Sequence, residues 1–433
     1  MSVVNVGLIG AGTVGCGVIK ILEQNKEIIE KRTGITPNLK KIADIDPGRK
    51  RPVRIPKGKI TRKADDLIND PSIDIIVELI GGTTIAKDLV LAALKSKKHV
   101  VTANKALLAH HGKEIFATAA RNGVEVGFEA SVGGGIPIIK STLESFAANN
   151  ILSIHGIING TSNYILSRMT DEGSEFGDVL EEAQKEGYAE ADPSFDVDGV
   201  DAAHKLSILI MLSFGKFIDF GKIHVEGIRN ITSVDISFAD ELGYKIKLLA
   251  IAKALDEGLE AGVYPALVKK GTQLADVSEA FNAIYLVGDA LGPAMLYGKG
   301  AGMMPTASAV VSDVLQIGKH LSLGNEHLSP PRFYAEKSAL PLIKMSDTVN
   351  KYYIRFQAED RPGVLGKITG GLGSNGISIE SVIQKGRHHG GGDVPVVIMT
   401  HEAREKDLLK ALRQIGRLSS IRPGTMFLRI EDL

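Results

Sequence analysis

The chain has 433 residues, 44% of them hydrophobic and 24% charged, with Lys+Arg and Asp+Glu both at 51. That length suggests about three domains. The even charge removes any global electrostatic case for nucleic acid or a membrane surface, and the absence of Trp with only 5% aromatics weakens base stacking. A single cysteine, Cys16, excludes an intrachain disulfide framework and fits a reducing compartment. The start MSVVNVGLIGAG carries no basic n-region and no cleavage site, and no apolar run reaches bilayer-spanning length. The expected location is the cytoplasm.

Residues 3–9 (VVNVGLI) form a short β-rich run ending in Gly10-Ala11-Gly12-Thr13-Val14-Gly15, and an apolar helical stretch follows from Cys16. Strand, glycines and helix in that order are the context a dinucleotide fingerprint needs. The first glycine makes the turn, the second lets backbone approach a pyrophosphate, and the third allows close helix–strand packing. A second strand is expected over residues 40–45, ending at Asp44, whose carboxylate suits the ribose hydroxyls of NAD. Arg49, Lys50, Arg51 and Arg54 follow it, and they suit the 2′-phosphate of NADP. The two signals conflict, so the cofactor is NADP or NAD.

Further strands are expected over residues 73–79, 99–102 and 124–128, with helices between them. The β-α-β alternation argues a doubly wound parallel sheet. Gly81-Gly82, and Thr102 with Asn104-Lys105, fall at strand C-termini like the fingerprint, so all should border one crevice. Next comes Glu129-Ala130-Ser131-Val132-Gly133-Gly134-Gly135-Ile136, a tight turn or a set of carbonyls aimed at a cation beside a hard carboxylate. Residues 151–158 read as a strand leading into Asn159-Gly160-Thr161-Ser162-Asn163-Tyr164, a polar junction suited to a small polar substrate.

The stretch 186–207, EGYAEADPSFDVDGVDAAHKLS, is crowded with carboxylates before an apolar run. A helix is expected from about Asp198 to Leu212. Taken alone, the acidic residues fit an ordinary helix start, and Asp201 with Lys205 fits a plain i,i+4 ion pair. Strand-like segments near 245–254, 262–268 and 282–287 suggest a sheet in a second domain.

Six motifs in order carry a family resemblance: GLIGAGTVG at 7–15, TANKALLA at 102–109, FEASVGGGIPII at 128–139, GIINGTSNYIL at 156–166, EGYAEADPSFDVDGVDAAHKLSIL at 186–209 and GKGAGMMPTASAVVSD at 298–313. The chain resembles bacterial homoserine dehydrogenases with a C-terminal regulatory domain. The resemblance implies interconversion of L-homoserine and L-aspartate 4-semialdehyde with NAD(P)(H), in threonine, methionine and isoleucine biosynthesis. It makes Lys205 the proton-transfer residue and Lys105 the second lysine of the site. An ammonium that serves as acid and base needs its pKa lowered by desolvation. The match also implies that Glu190 and Asp201 grip the substrate ammonium, and that Gly160, Thr161, Tyr188 and Asp196 line its pocket. Glu129 with the carbonyls of Val132, Gly134 and Ile136 resembles the family's monovalent cation site, usually Na+. Gly300 and Gly302 match the segment that touches the nicotinamide. Ala43 stands where many relatives carry arginine, which weakens a strict NADP preference.

After Leu328-Ser329-Pro330-Pro331, read as linker or loop, the pattern becomes βαββαβ, which fits a ferredoxin-like fold. DRPGVLGKITGGLGSNGISIESV is similar to ACT domains, which bind amino acids. That similarity implies threonine as effector, with Asp360, Gly363, Val364, Leu365, Asn375 and Ile377 in the ligand loops. His388-His389 before Gly390–Gly392 read as a mobile loop. The expected architecture is therefore α/β throughout: a Rossmann domain over 1–130, completed by a return segment near 303–320, an α+β catalytic and dimerisation domain over 131–325, a linker over 326–349, and an ACT domain over 350–433. A homodimer or homotetramer is expected, with no nucleic acid or membrane partner. Two other readings stand beside this one: an amino-acid sensor that keeps the fold without catalysis, and a dehydrogenase of another amino acid.

Overall fold

The computed structural model describes residues 2–56, 58–324, 340–385 and 392–432. The 328–331 stretch and His388-His389 lie outside the described residues. In chain order the first stretch holds β1 (Ser2–Ile9), α1 (Thr13–Gln24), α2 (Lys26–Thr33), β2 (Ile35–Ala43), β3 (Ile60–Thr61), α3 (Asp65–Ile68), β4 (Ile75–Glu78), α4 (Ile85–Lys95), β5 (His99–Thr102), α5 (Lys105–Asn122) and β6 (Val126–Gly127). Then come α6 (Ile138–Lys140), β7 (Ile151–Ile157), α7 (Gly160–Glu172), α8 (Phe176–Glu186), α9 (Ser194–Val197), α10 (Val200–Phe214), β8 (His224–Val225), α11 (Ser233–Glu241), β9 (Tyr244–Leu255), β10 (Gly258–Lys269), β11 (Phe281–Gly288), β12 (Gly292–Lys299) and α12 (Met303–Leu323). The last stretch holds β13 (Val349–Glu359), α13 (Val364–Gly373), β14 (Ile379–Gln384), β15 (Asp393–Thr400), β16 (Ala403–Arg404), α14 (Glu405–Ile415) and β17 (Met426–Glu431).

By contact the chain forms two units. The first comprises the described residues of Met1–Ile158, Asp201–Ile223 and Phe281–Ala339. Its sheet is wholly parallel, in the order β3-β2-β1-β4-β5-β6. The order reverses between β1 and β4, where an open α/β sheet leaves a crevice beyond its strand ends. β4 and β5 are buried along their whole length because helices cover both faces, which is why they read as unbroken runs. α12 packs on this sheet. Ala307, Val310 and Val314 of that helix share one core with Val6, Leu8, Val18 and Val77. Gly17 permits the approach, since a Cβ there would stand 2.7 Å from the Met303 carbonyl oxygen. The second strand ends at Ala43 and leaves Asp44 just beyond it, rather than running to residue 45. β7, β11 and β12 form an antiparallel group in the same unit.

The second unit comprises Asn159–Val200, His224–Ala280 and the described residues of Leu340–Leu433. β9 and β10 make a long antiparallel hairpin. β17 adds to β10 in parallel, and β13, β15 and β14 continue the sheet. Thus the βαββαβ module forms as expected, with its own core of Tyr352, Ile354, Phe356, Ile368, Leu372 and Leu408. Its sheet is continuous with the β9–β10 hairpin. Leu259 of β10 also donates its N–H to the Pro341 carbonyl and accepts from Ile343, inside the span read as linker.

Candidate active site

The glycines of the fingerprint divide the labour as the motif requires. Gly10 has φ 98, and a Cβ there would lie 2.8 Å from the Leu79 backbone. A Cβ on Gly15 would lie 2.2 Å from the Gly10 carbonyl oxygen, so only glycine lets α1 close on β1. Nothing stands within 4 Å of the corresponding point at Gly12. That open space faces the uncapped start of α1, where Thr13 and Val14 sit, and a helix N-terminus without a side-chain cap offers N–H donors to an anion. The residues fit a dinucleotide pyrophosphate.

Asp44 does not stand free. It accepts from the N–H of Ala11 at 2.8 Å and of Asp46 at 2.9 Å, and the Arg51 guanidinium lies 3.1 Å away. Burial alone would raise this carboxyl, but the two N–H donors and Arg51 hold it below the usual value. Arg51 also donates to the Ala11 carbonyl at 3.1 Å, so carboxylate and guanidinium together brace the fingerprint loop.

Glu78, which the sequence reading passed over, organises the other side of the crevice. It is fully buried at the end of β4 and accepts from Thr102 Oγ1, from the Ile80 N–H and from the Gly81 N–H. Burial pushes its carboxyl up. Asn104 donates to the Gly82 carbonyl at 2.7 Å and caps α5 by accepting from the Leu107 N–H. A carboxylate closing an apolar strand was the available signal, and periodicity does not weigh it.

Lys105 is the first residue of α5, and α10 brings Asp201 and Lys205 to it. Asp201 is 3% exposed. Its Oδ2 accepts from Lys205 Nζ at 2.7 Å, and its Oδ1 lies 2.9 Å from Lys105 Nζ. Lys205 also donates to the Ile158 carbonyl at 2.7 Å. Burial would raise the Asp201 carboxyl, but the two ammonium groups more than offset it and hold it well below the carboxylate range. Both of its oxygens therefore face the chain's own cations. His204, beside Lys205 in sequence, packs against Phe220 and His110, and burial lowers it to about 4. It is a neutral wall residue at ordinary pH.

Glu129 is buried at 2% exposure and accepts from the N–H groups of Ile139 and Lys140. Burial, reinforced by the neighbouring Asp313, pushes it up to about 7 against those donors. Asp313, on α12 and not foreseen, accepts from the Glu129 N–H at 2.8 Å and pairs with Lys140 at 3.1 Å. Gly133 and Gly134 both have positive φ, and a Cβ on Gly134 would lie 2.4 Å from the Gly300 carbonyl oxygen. Gly300 is itself closed in by Asn282, and Gly302 begins α12. The turn carrying the Val132, Gly134 and Ile136 carbonyls is thus packed backbone to backbone. A buried carboxyl whose charge is disfavoured fits a neighbouring hard cation. Among the described residues no group of three or more His, Cys, Asp or Glu could hold a metal.

In the second unit Asn159 caps α7 through the Ser162 N–H and donates to Asp196 Oδ1 at 2.7 Å. Ser162 Oγ donates to the Asp196 carbonyl at 3.0 Å. Gly160 opens α7, and Thr161 Oγ1 donates to the Tyr188 carbonyl at 2.8 Å. The Tyr188 ring stacks on Tyr164 at 4.5 Å. Gly160, Thr161, Tyr188 and Asp196 are therefore brought together. Glu190 is exposed, and its backbone carbonyl accepts from Gln184. Asp192 accepts from the Ser194 N–H, and Asp198 pairs with Arg229.

In the C-terminal module a cavity of about 580 Å³ is lined by Asp360, Arg361, Gly363, Val364, Leu365 and Gln384 among others. Asn375 and Ile377 do not line it. Asn375 donates to the Gly371 carbonyl and to Gln414, and Ile377 lies in the core.

Residues 137–315 match the protein family "Homoserine dehydrogenase", residues 10–129 match "Homoserine dehydrogenase, NAD binding domain", and residues 352–417 match "ACT domain". A homoserine dehydrogenase of Pseudomonas aeruginosa is 44% identical over 436 residues, covering 100% of both chains. The crystal structure of a homoserine dehydrogenase from Thiobacillus denitrificans superposes with a TM-score of 0.93 at 43% identity, covering 100% of this chain and 99% of that one. A hyperthermophilic archaeal homoserine dehydrogenase in complex with NADPH matches with a TM-score of 0.60 at 25% identity, over 73% of this chain and 97% of that one.

Proposed function

The chain belongs to the homoserine dehydrogenases, oxidoreductases that act on a CH–OH group with a nucleotide cofactor, and from that premise we propose that it interconverts L-homoserine and L-aspartate 4-semialdehyde with Lys205 as the proton-transfer residue. The observation that carries the reading is the buried Asp201 carboxylate holding Lys205 and Lys105 at its two oxygens, in the same unit as the nucleotide crevice.

When bound, the nicotinamide supplies a hydride to the aldehyde carbon, or removes it from the alcohol carbon in the reverse direction. Lys205 gives the proton that the new hydroxyl needs and takes it back in reverse. Asp201 and the Ile158 carbonyl aim the Lys205 ammonium, and its burial excludes competing water. Lys105, more open than Lys205, holds the substrate carboxylate or the nicotinamide ribose. Glu190 grips the substrate ammonium, with Gly160, Thr161, Tyr188 and Asp196 around it. The resemblance groups Asp201 with Glu190. With two ammonium groups already on its carboxylate, Asp201 acts first by positioning the lysines.

The crevice residues Gly10, Gly12, Gly15, Gly81, Gly82, Thr102 and Asn104, with Gly300 and Gly302, are assigned to the cofactor. The cofactor is NADP or NAD: Asp44 and Arg51 engage each other and the fingerprint loop, so neither side chain by itself selects the 2′ group. Glu129 and the carbonyls of Val132, Gly134 and Ile136 would hold Na+, which would neutralise the carboxylate. Threonine is the effector, bound in the Asp360–Leu365 cavity. The enzyme works in the cytoplasm as a dimer or tetramer, in threonine, methionine and isoleucine biosynthesis.

The test is homoserine-dependent reduction of NAD and NADP, side by side. Lys205→Ala should lower kcat by ~10²–10⁴-fold while cofactor affinity stays nearly intact. Cofactor binding by the native enzyme with no turnover of homoserine would overturn the reading.

A further inference from the structure

Arg429 is the largest fully buried side chain of the described residues, and its charge is met from two directions. Its Nε donates to Glu405 at 2.7 Å, and its Nη1 and Nη2 donate to the two oxygens of Glu226 at 3.1 and 2.9 Å. The guanidinium lies 4.4 Å from the centroid of the Tyr264 ring. Glu405 is the first residue of α14 in the C-terminal module. Glu226 belongs to the short segment after β8, outside that module, and its N–H donates to the Val263 carbonyl of β10 at 2.7 Å. Burial would raise Glu226, but its bonds to His224 and Arg429 hold it down to about 2.

The segment that begins at Glu226 carries the loop bearing Asp196. A Cβ on Gly227 would lie 2.4 Å from the Val197 carbonyl oxygen and 2.6 Å from Asp198 Cα, so the two backbones touch. The Ile228 N–H donates to the Val197 carbonyl at 2.9 Å. Arg229 Nε donates to Asp198 at 2.5 Å, and its Nη2 donates to Ser194 at 2.9 Å. Gly227, Ile228 and Arg229 thus hold α9 and its C-terminal flank at three successive positions, and Glu226 ties the start of that segment to Arg429.

We propose that residues 226–229 are the mount of the 194–198 substrate loop, and that Arg429 anchors this mount to the C-terminal module as a positioning residue. The module therefore sets homoserine affinity through Glu226 even with no effector bound. A bidentate guanidinium–carboxylate pair fixes orientation as well as distance. Small misplacements of a positioning group cost substrate affinity or turnover without touching the chemistry. The inference rests on Asp196 lining the amino-acid pocket.

The test uses four single variants of the full chain, with Tm, homoserine KM, cofactor KM and kcat measured for each. Glu226→Gln loosens the mount but leaves Arg429 paired with Glu405. Glu405→Gln loosens the arginine on the module side but leaves the clamp on Glu226. Arg229→Met removes an exposed link of the mount and spares the core. Asp196→Asn reports on the pocket itself. The expected result is a rise of about fivefold or more in homoserine KM for Glu226→Gln and Arg229→Met, with cofactor KM and kcat moving less than about twofold. Glu405→Gln should lower Tm with little change in homoserine KM.

Equal effects of Glu226→Gln and Glu405→Gln on Tm, with no separate rise in homoserine KM, would reduce Arg429 to a structural role and overturn the proposal. So would parallel rises in both KM values. If Glu226→Gln does not fold, an unchanged homoserine KM in Arg229→Met decides against the mount. An unchanged KM in Asp196→Asn removes the pocket assignment, and the mount with it, whereas a rise there without one in the other two variants removes the mount alone.

Discussion

Asp201 shows how one buried carboxylate sets the charge state of a site. Its folded pKa lies below the ordinary 3.8. Its ion pairs therefore stabilise the fold fully above about 4, and that contribution is lost as pH falls through the folded value. Asp201→Asn leaves two ammonium groups facing an amide, and breaking a buried pair is costly. The variant should be less stable than the native chain at pH 7, and the gap in unfolding free energy should narrow toward pH 2. A gap independent of pH would show that the carboxylate is not the paired group. Arg51 is committed at the same scale: its three guanidinium nitrogens donate to the Ala11, Pro47, Arg49 and Asp46 carbonyls, and it pairs with Asp44. Arg51→Gln should therefore lower kcat/KM with NADP and with NAD by about the same factor, through the loosened fingerprint loop. A loss confined to NADP would instead place the guanidinium beside a 2′-phosphate.

At the scale of elements, the Glu129 turn and α12 are built around a charge problem. Glu129 is raised from 4.5 to about 7, so its contribution to stability is full below about 4.5 and falls away as pH rises through 7. That difference amounts to ~3 kcal/mol at alkaline pH. A monovalent cation at the turn would offset it. Replacing choline by Na+ at constant ionic strength should raise Tm at pH 8 and leave it unchanged at pH 5. A Na+ effect of equal size at both values, or one that survives Glu129→Gln, would place the ion elsewhere. The glycines of the turn are explained without the ion, since Gly134 meets the Gly300 backbone. The turn and the cation readings of this motif are therefore compatible.

For the whole molecule, the C-terminal module is an extension of the β9–β10 sheet rather than an appendage. β17 pairs with β10 in register from Ala266 and Arg429 onward. Lys253 and Tyr264 reach Glu431 across the same junction, at 2.7 and 3.0 Å. An effector in the Asp360–Leu365 cavity binds a body that shares a sheet and a buried ion network with β10. Threonine at ~100 times its Kd should stabilise the enzyme by ~2.7 kcal/mol, read as a rise in Tm. Asp360→Ala should abolish that rise. A native enzyme whose Tm ignores threonine would end the effector assignment.

Much of this was written in local patterns. The fingerprint glycines, the buried runs of β4 and β5 and the βαββαβ order of the last stretch each depend on neighbours close in sequence, so spacing reveals them. α10 was read as starting near Asp198 and begins at Val200, because the turn at Gly199 and the short helix α9 precede it. The polar helices α2 and α8 escaped notice because few of their residues face a core. Residue type and spacing show which groups can bind, turn and ionise, and folding brings distant ones of them together. Glu78 with Thr102, Glu129 with Asp313, Lys105 with Asp201 and Arg429 with Glu226 are separated by 24 to 203 residues or lie on different elements. The charge each group carries is set by burial and by those distant partners, and neither is visible in the order of residues along the chain.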